Sequence, residues 1–271
     1  MHVVITGASS GIGEAIAREY LARGANVTLV ARRAQLLQEI AESAPGRTHL
    51  VVSDLSIPER ACDFIAGAEA AFGPIDVLIN NAGASMVHRT VDTVWEQADA
   101  LFRLNVLTPF RLTVALAPRM LARGQGCIVD IASAAALAPA PGFFFYNASK
   151  AALAAGSESL RAELRRGGVH VVTVYPGPVH TPMGDANFAA FDPDFPKRVP
   201  TGDTRTLARL VADAVAKRKP RVIYPRFYSL TRYFPVLARW LVDRTAPEIK
   251  TPRVQLAFTR DQDATPPPRA N

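Results

Sequence analysis

The chain is poor in cysteine. It has two in 271 residues, Cys62 and Cys127, and neither sits in a CxxC pair or beside a histidine. That leaves no disulfide framework and argues against a structural metal site, and it fits a reducing compartment. Long apolar runs are also missing. No eighteen consecutive apolar residues occur, so a transmembrane helix is not indicated. The opening residues, Met-His-Val-Val-Ile-Thr-Gly, show no charged stretch ahead of an apolar one; no secretory signal is expected, and a cytoplasmic protein is. Acidic residues are scarce at one end only. From Lys217 onward twelve Lys and Arg stand against four Asp and Glu, whereas residues 1–216 hold nineteen and twenty. A neutral body with a basic end is not the pattern of a nucleic-acid-binding domain, though it leaves a membrane surface open as a contact for that end.

What is present is the composition of a folded globular protein, 49% hydrophobic and 20% charged. Short apolar runs rich in Val and Ile fall at 2–6, 26–31, 49–53, 76–80, 127–132, 169–175 and 221–224. They hardly alternate, as expected of strands covered on both faces. Helical patterns lie between them, at about 11–24, 33–43, 58–72, 92–123 (with one break), 146–166 and 203–218. Repeated βα units with right-handed crossovers make a doubly wound α/β fold of the Rossmann type, a seven-stranded parallel sheet with helices on both faces and a C-terminal helical extension. The expected organisation is one nucleotide-binding catalytic domain over 1–225, a basic amphipathic extension over 226–260 packed on it, and a disordered tail over 261–271. Residues 181–201 carry Pro182, Pro193, Pro196 and Pro200 without periodicity, the composition of a functional loop or lid.

The first strand runs into Thr6-Gly7-Ala8-Ser9-Ser10-Gly11-Ile12-Gly13 and then a helical pattern. A strand, a glycine turn and a helix N-terminus present free N–H groups and the positive end of the helix dipole to an anion such as a pyrophosphate. The spacing is GxxxGxG, a variant of the dinucleotide fingerprint, and a plain tight turn would need only small residues. Its place at the chain's opening supports the dinucleotide reading. The second strand ends Val30-Ala31-Arg32-Arg33. A carboxylate there would select NAD, whereas arginine accommodates a 2′-phosphate, so NADP(H) is preferred, with Arg32 the first choice for the phosphate and Arg33 beside it. The bland alternative is a pair of arginines on a surface loop.

Tyr146-Asn147-Ala148-Ser149-Lys150 places a phenol and an ammonium on one helix face, at i and i+4. Bringing a phenol from about 10 to about 7 takes about 4 kcal/mol of preferential stabilisation, which a neighbouring cation can supply. Alone the pattern is common on helix surfaces. Ser133, thirteen residues earlier at a strand end, falls where an open α/β sheet lines its ligand crevice. Asn80-Asn81-Ala82-Gly83 ends the fourth strand, and Asn105 interrupts an apolar helical stretch.

Together, Thr6 to Gly13, Asp54, Asn80 to Gly83, Asn105, Ser133, Tyr146 with Lys150, and Pro176-Gly177 resemble the short-chain dehydrogenase/reductase superfamily in its single-domain form. The resemblance implies a Ser133–Tyr146–Lys150 triad supported by Asn105. Tyr146 would exchange the proton, Ser133 orient the carbonyl oxygen, Lys150 hold the nicotinamide ribose, and Asn105 anchor a water. Cofactor contacts would come from Gly7, Ser9, Ser10, Gly11, Ile12, Gly13, Arg32, Arg33, Asp54, Leu55, Asn80, Ala82, Gly83, Tyr146, Lys150, Pro176, Gly177, Val179 and Thr181. It also implies a homodimer or homotetramer. The function expected is NADP(H)-dependent interconversion of a ketone or aldehyde and an alcohol on a small hydrophobic substrate. That substrate would be lined by the apolar and aromatic segments 134–145, 181–201 and 227–243, with Phe143, Phe144, Phe145, Phe188, Phe191 and Phe195. The rival of another class is a dinucleotide-binding regulator without turnover. A sugar-nucleotide epimerase would need a larger C-terminal domain and a TGxxGxxG loop, and neither is here.

Near the end, Phe227, Leu230, Phe234, Leu237 and Leu241 recur as a helical stripe, with Arg232, Arg239 and Asp243 opposite and Pro235 dividing it into two short helices. The stripe either packs on its own domain or at a subunit interface, or lies on a membrane surface through 226–244.

Overall fold

The computed structural model describes residues 1–191 and 199–245. Seven parallel strands form one sheet: β1 (His2–Thr6), β2 (Asn26–Ala31), β3 (Thr48–Val52), β4 (Val77–Asn80), β5 (Gly126–Ile131), β6 (Val169–Pro176) and β7 (Arg221–Tyr224). Their order is β3-β2-β1-β4-β5-β6-β7. The order reverses between β1 and β4, which places a crevice at the carboxyl ends of those two strands. Val3, Ile5, Val27, Leu29, Val77 and Val129 build one face of the core, while Val4, Val30, Leu78 and Ile128 build the other. Both faces are apolar because helices cover both, hence the strands that barely alternate.

The helices are α1 (Gly11–Ala22), α2 (Ala34–Glu42), α3 (Ile65–Phe72), α4 (Trp95–Phe102), α5 (Thr108–Arg123), α6 (Phe144–Leu164), α7 (Pro182–Phe188) and α8 (Thr204–Ala216), followed by α9 (Ser229–Tyr233) and α10 (Pro235–Thr245). Three expectations are corrected. The break expected in 92–123 is a single π turn at Arg103–Leu107, so α4 and α5 run on as one helical rod. That rod is long and apolar enough to cross a membrane, but half of its apolar window is buried in the protein; it is a core helix. The segment after Thr181 is helical in its first part. Thr181 caps α7 by accepting from Gly184 N at 2.9 Å, and Pro182 takes the first helical position, where no N–H is needed. Pro193, Phe195 and Pro196 lie outside the described residues, as does the tail expected over 261–271.

The third correction concerns the extension. Pro235 does divide it, opening α10 after α9. Its apolar stripe, however, is left about half open among the described residues: Phe227, Leu230, Phe234, Leu237 and Leu241 are 47–60% exposed. The extension is tied on by other means. Tyr228 lies with its ring against Gly177 and its hydroxyl donates to Pro200 O at 3.1 Å. Arg232 reaches Glu158 on α6 at 3.6 Å, and Arg239 donates to Pro139 O at 2.9 Å. Burial would raise the Glu158 carboxyl, but Arg221 and Arg161 hold it down, to about 2. This anionic centre therefore fastens β7, α6 and α9 together at neutral pH.

Candidate active site

The glycine loop joins β1 to α1. Gly7 has φ +66°, and a Cβ on it would sit 2.8 Å from Ala82 Cα, so the loop can pass the end of β4 only as glycine. Thr6 and Asn81 stitch the two strand ends. Thr6 Oγ1 accepts from Asn81 N and Ala82 N, both at 3.0 Å, and Asn81 Nδ2 donates to Thr6 O at 2.9 Å. The sequence motif alone does not mark Asn81 off from Asn80, yet its side chain is the one that holds the loop, through Thr6 O and Gly7 O. Asn80, expected along the cofactor, is turned away. Its side chain is buried and donates to Asp130 Oδ1 on β5 at 2.8 Å, which leaves it only its main chain to offer the crevice.

Ser10 precedes α1 in an extended conformation suited to a cap, yet its hydroxyl makes no cap bond. It accepts instead from Arg33 Nη2 at 2.7 Å, and Ser9 Oγ accepts from the same nitrogen at 3.0 Å. The first N–H groups of α1, from Gly11, Ile12 and Gly13, therefore stay available to an anion. Arg33, the second of the two expected arginines, is a guanidinium brought to the loop; Arg32 beside it is exposed. The methyl of Thr181 lies over Gly11. Asp54, exposed, and Leu55, buried, follow β3 at the same carboxyl edge of the sheet. Val179 is buried and bridged to Gly202, which pins the base of the 181–201 segment beside Pro176.

Four polar side chains meet beyond the end of β5. Ser133, just past that strand, accepts from Ala135 N at 3.1 Å and donates to Pro176 O at 3.4 Å. Lys150 is buried and donates to Ile131 O at 2.8 Å. Asn105, swung inward by the π turn, accepts from Ala84 N at 2.8 Å and donates to Ala84 O at 2.9 Å and Ser149 Oγ at 3.0 Å. A Cβ on Gly83 would lie 3.1 Å from Asn105 Oδ1 and 3.4 Å from Lys150 Nζ. The missing side chain is the space through which a ligand can reach the lysine. Tyr146, one turn ahead of Lys150 on α6, has Phe143 beside it with ring centres 5.9 Å apart, and Phe143 stacks on Phe191 at 5.7 Å. Phe144 and Phe145 turn elsewhere, with Phe145 against Trp95.

The electrostatics correct one expectation. Burial raises the Tyr146 phenol, and Ser133 pulls it only partly back. Burial draws the Lys150 ammonium down to about 8, against the opposing pull of Asp130. With the ammonium turned to Ile131 O, the protein alone leaves Tyr146 an acid through the neutral range.

The sheet order, the glycine loop and this serine–tyrosine–lysine cluster define a dinucleotide-dependent oxidoreductase. The short chain dehydrogenase family model matches residues 1–190, and the chain belongs to that family, whose members act on CH–OH groups. It is 34% identical over 260 residues to mouse dehydrogenase/reductase SDR family member 7B, covering 89% of this chain and 79% of that one. It is 40% identical over 187 residues to a fatty acyl-CoA reductase of Mycobacterium tuberculosis, covering 67% of this chain and 64% of that one. Among solved structures it is similar to a short-chain dehydrogenase from Sphingobium yanoikuyae in complex with NADPH, with a TM-score of 0.76, 28% identity and coverage of 92% and 98%.

Proposed function

We propose that the protein is an NADPH-dependent carbonyl reductase acting on a hydrophobic ketone or aldehyde. The observation that carries the reading is Tyr146 held as a phenol beside Ser133, with the Phe143–Phe191 wall on its open side. The crevice fits the cofactor: α1 offers an uncapped N-terminus, Arg33 gathers cationic charge at the loop where a 2′-phosphate would sit, and glycine at 83 leaves Lys150 accessible. When bound, NADPH supplies the hydride. Ser133 then orients the substrate oxygen by a hydrogen bond, and Tyr146 donates its phenolic proton to that oxygen. Lys150 holds the ribose hydroxyls and stabilises the phenolate left behind. Lys150 then passes a proton to that phenolate and regains one from a water; because the Asn105 side chain is filled by Ala84 and Ser149, that water would rest on main-chain carbonyls at the π turn. The similarity to a fatty acyl-CoA reductase and the NADPH in a structural relative support the substrate and cofactor classes. The exposed apolar side chains of α5, Leu107 just before it, Phe110 and Val114, support a homodimer or homotetramer.

The test is Tyr146→Phe. NADPH binding should persist while kcat for ketone reduction falls by about 10²–10⁴; near-normal turnover would sink the assignment, and binding without turnover in the wild type would favour the regulator. Because burial keeps Tyr146 protonated, reduction should be flat through neutral pH. Alcohol oxidation, which needs the phenolate, should rise by up to about tenfold per pH unit on the alkaline side.

A further inference from the structure

The end of the described chain carries an apolar face that the domain does not cover. Phe227, Leu230, Phe234, Val236, Leu237 and Trp240 are 51–83% exposed on the two short helices α9 and α10 and the turn before them. Soluble monomers rarely leave so many large side chains contiguous and open. The charge around them is one-sided. Residues 226–245 hold four Arg and a single acid, Asp243, which Arg239 neutralises, while Arg232 faces Glu158.

The geometry points to an anionic lipid surface as the occupant of this face. A second copy is disfavoured, because a two-fold contact would set like-charged rims against each other. The chain's own residues 246–271 hold four Lys and Arg against three Asp and Glu, so they bring no complementary charge. A bilayer with acidic headgroups answers both features: acyl boundary for the apolar face, phosphate for the cations. With eleven residues, α10 is about 16 Å long, well short of the ~30 Å hydrocarbon core, so it lies on the surface and does not span it. Trp240, with the Arg244 guanidinium 5.8 Å over its ring, has the amphipathic character that settles at headgroup depth.

The docked face is joined to the crevice. Arg239 on α10 holds Pro139 O in the stretch between Ser133 and Tyr146, and Tyr228 covers Gly177 and ties Pro200. Lipid contact would therefore set the mouth of the site against the membrane and supply a bilayer-dissolved carbonyl compound; this last step rests on the hydrophobic-substrate reading above.

Full-length protein would be sedimented with phosphatidylglycerol vesicles and with vesicles of phosphatidylcholine alone. Trp240 emission would be followed in a Trp95→Phe background. Binding to the anionic vesicles, weakened by salt and accompanied by a blue shift, is expected. Val236→Glu with Leu237→Glu should cut partitioning at least about tenfold, and Arg226→Glu with Arg244→Glu should cut it by a similar factor through charge. Both variants should keep turnover of a short water-soluble ketone. No binding by the wild type, or equal binding by the glutamate variants, overturns the proposal. So does a vesicle-free fall in molecular mass in Val236→Glu/Leu237→Glu, which would assign the face to a second copy. Vesicle binding without any turnover would instead sink the catalytic reading and leave the docking intact.

Discussion

The loop between β1 and α1 and the helix pair α9–α10 are both tied down by arginine, yet they are built in opposite ways. At the loop, Arg33 draws in Ser9 and Ser10, Thr6 and Asn81 lock the strand ends, and the apolar residues on either side are fully buried. At the helix pair, Arg232 and Arg239 make the connections while the apolar residues point away from the domain. The first region is shaped by the backbone and is finished before any ligand arrives. The second is held in place by a few polar ties, and its apolar surface awaits an occupant. On the function proposed above, the cofactor meets the first region and the substrate approaches from the side of the second.

The largest effect should come from breaking the rigid region at its tightest point. Gly7→Ala places a methyl 2.8 Å from Ala82 Cα at φ +66°, which should cost roughly 1–3 kcal/mol in backbone strain alone. Thermal denaturation should show Tm lower by about 2–4 °C for each kcal/mol, together with weakened NADPH binding. An unchanged Tm would mean that the loop is not preformed. Arg33→Ala is next. Losing a charge-assisted contact worth about 1.5–3 kcal/mol should raise KM for NADPH roughly 10–150-fold and hardly touch KM for NADH. Arg32→Ala, measured beside it, should do less; the reverse ranking would return the phosphate to Arg32.

The seven strands were legible because Val and Ile runs buried on both faces leave a continuous apolar signature, and the observed ends fall within a residue or so of the expected ones. Ser133, Tyr146, Lys150 and Asn105 were legible through their joint resemblance to a family pattern, and the structure gathers them around Gly83 and the end of β5. What stayed hidden depends on partners distant in sequence or on the direction of a side chain. Asn80 turns toward Asp130, fifty residues on. Arg33, at the entry to α2, points back to the loop. The α7 helix had a local signal, Thr181 followed by Pro182, that four prolines in the surrounding segment masked. The exposure of the α9–α10 stripe was not legible at all, since the same periodicity serves a helix packed on a core and one left open.

The smallest expected effect is the sharpest test of the difference between the two regions. Val236 on α10 is 83% exposed, so Val236→Ser removes almost no buried apolar area. Serine and valine also have similar helix propensities. Stability should change by no more than about 0.5 kcal/mol in a denaturant titration free of lipid. A buried valine side chain would instead contribute about 1.5–3 kcal/mol. A loss of that size would mean that Val236 is covered in the free protein, by another part of the chain or by a second copy. The helix pair would then be a closed element like the glycine loop, and its apolar face would no longer be free for a membrane.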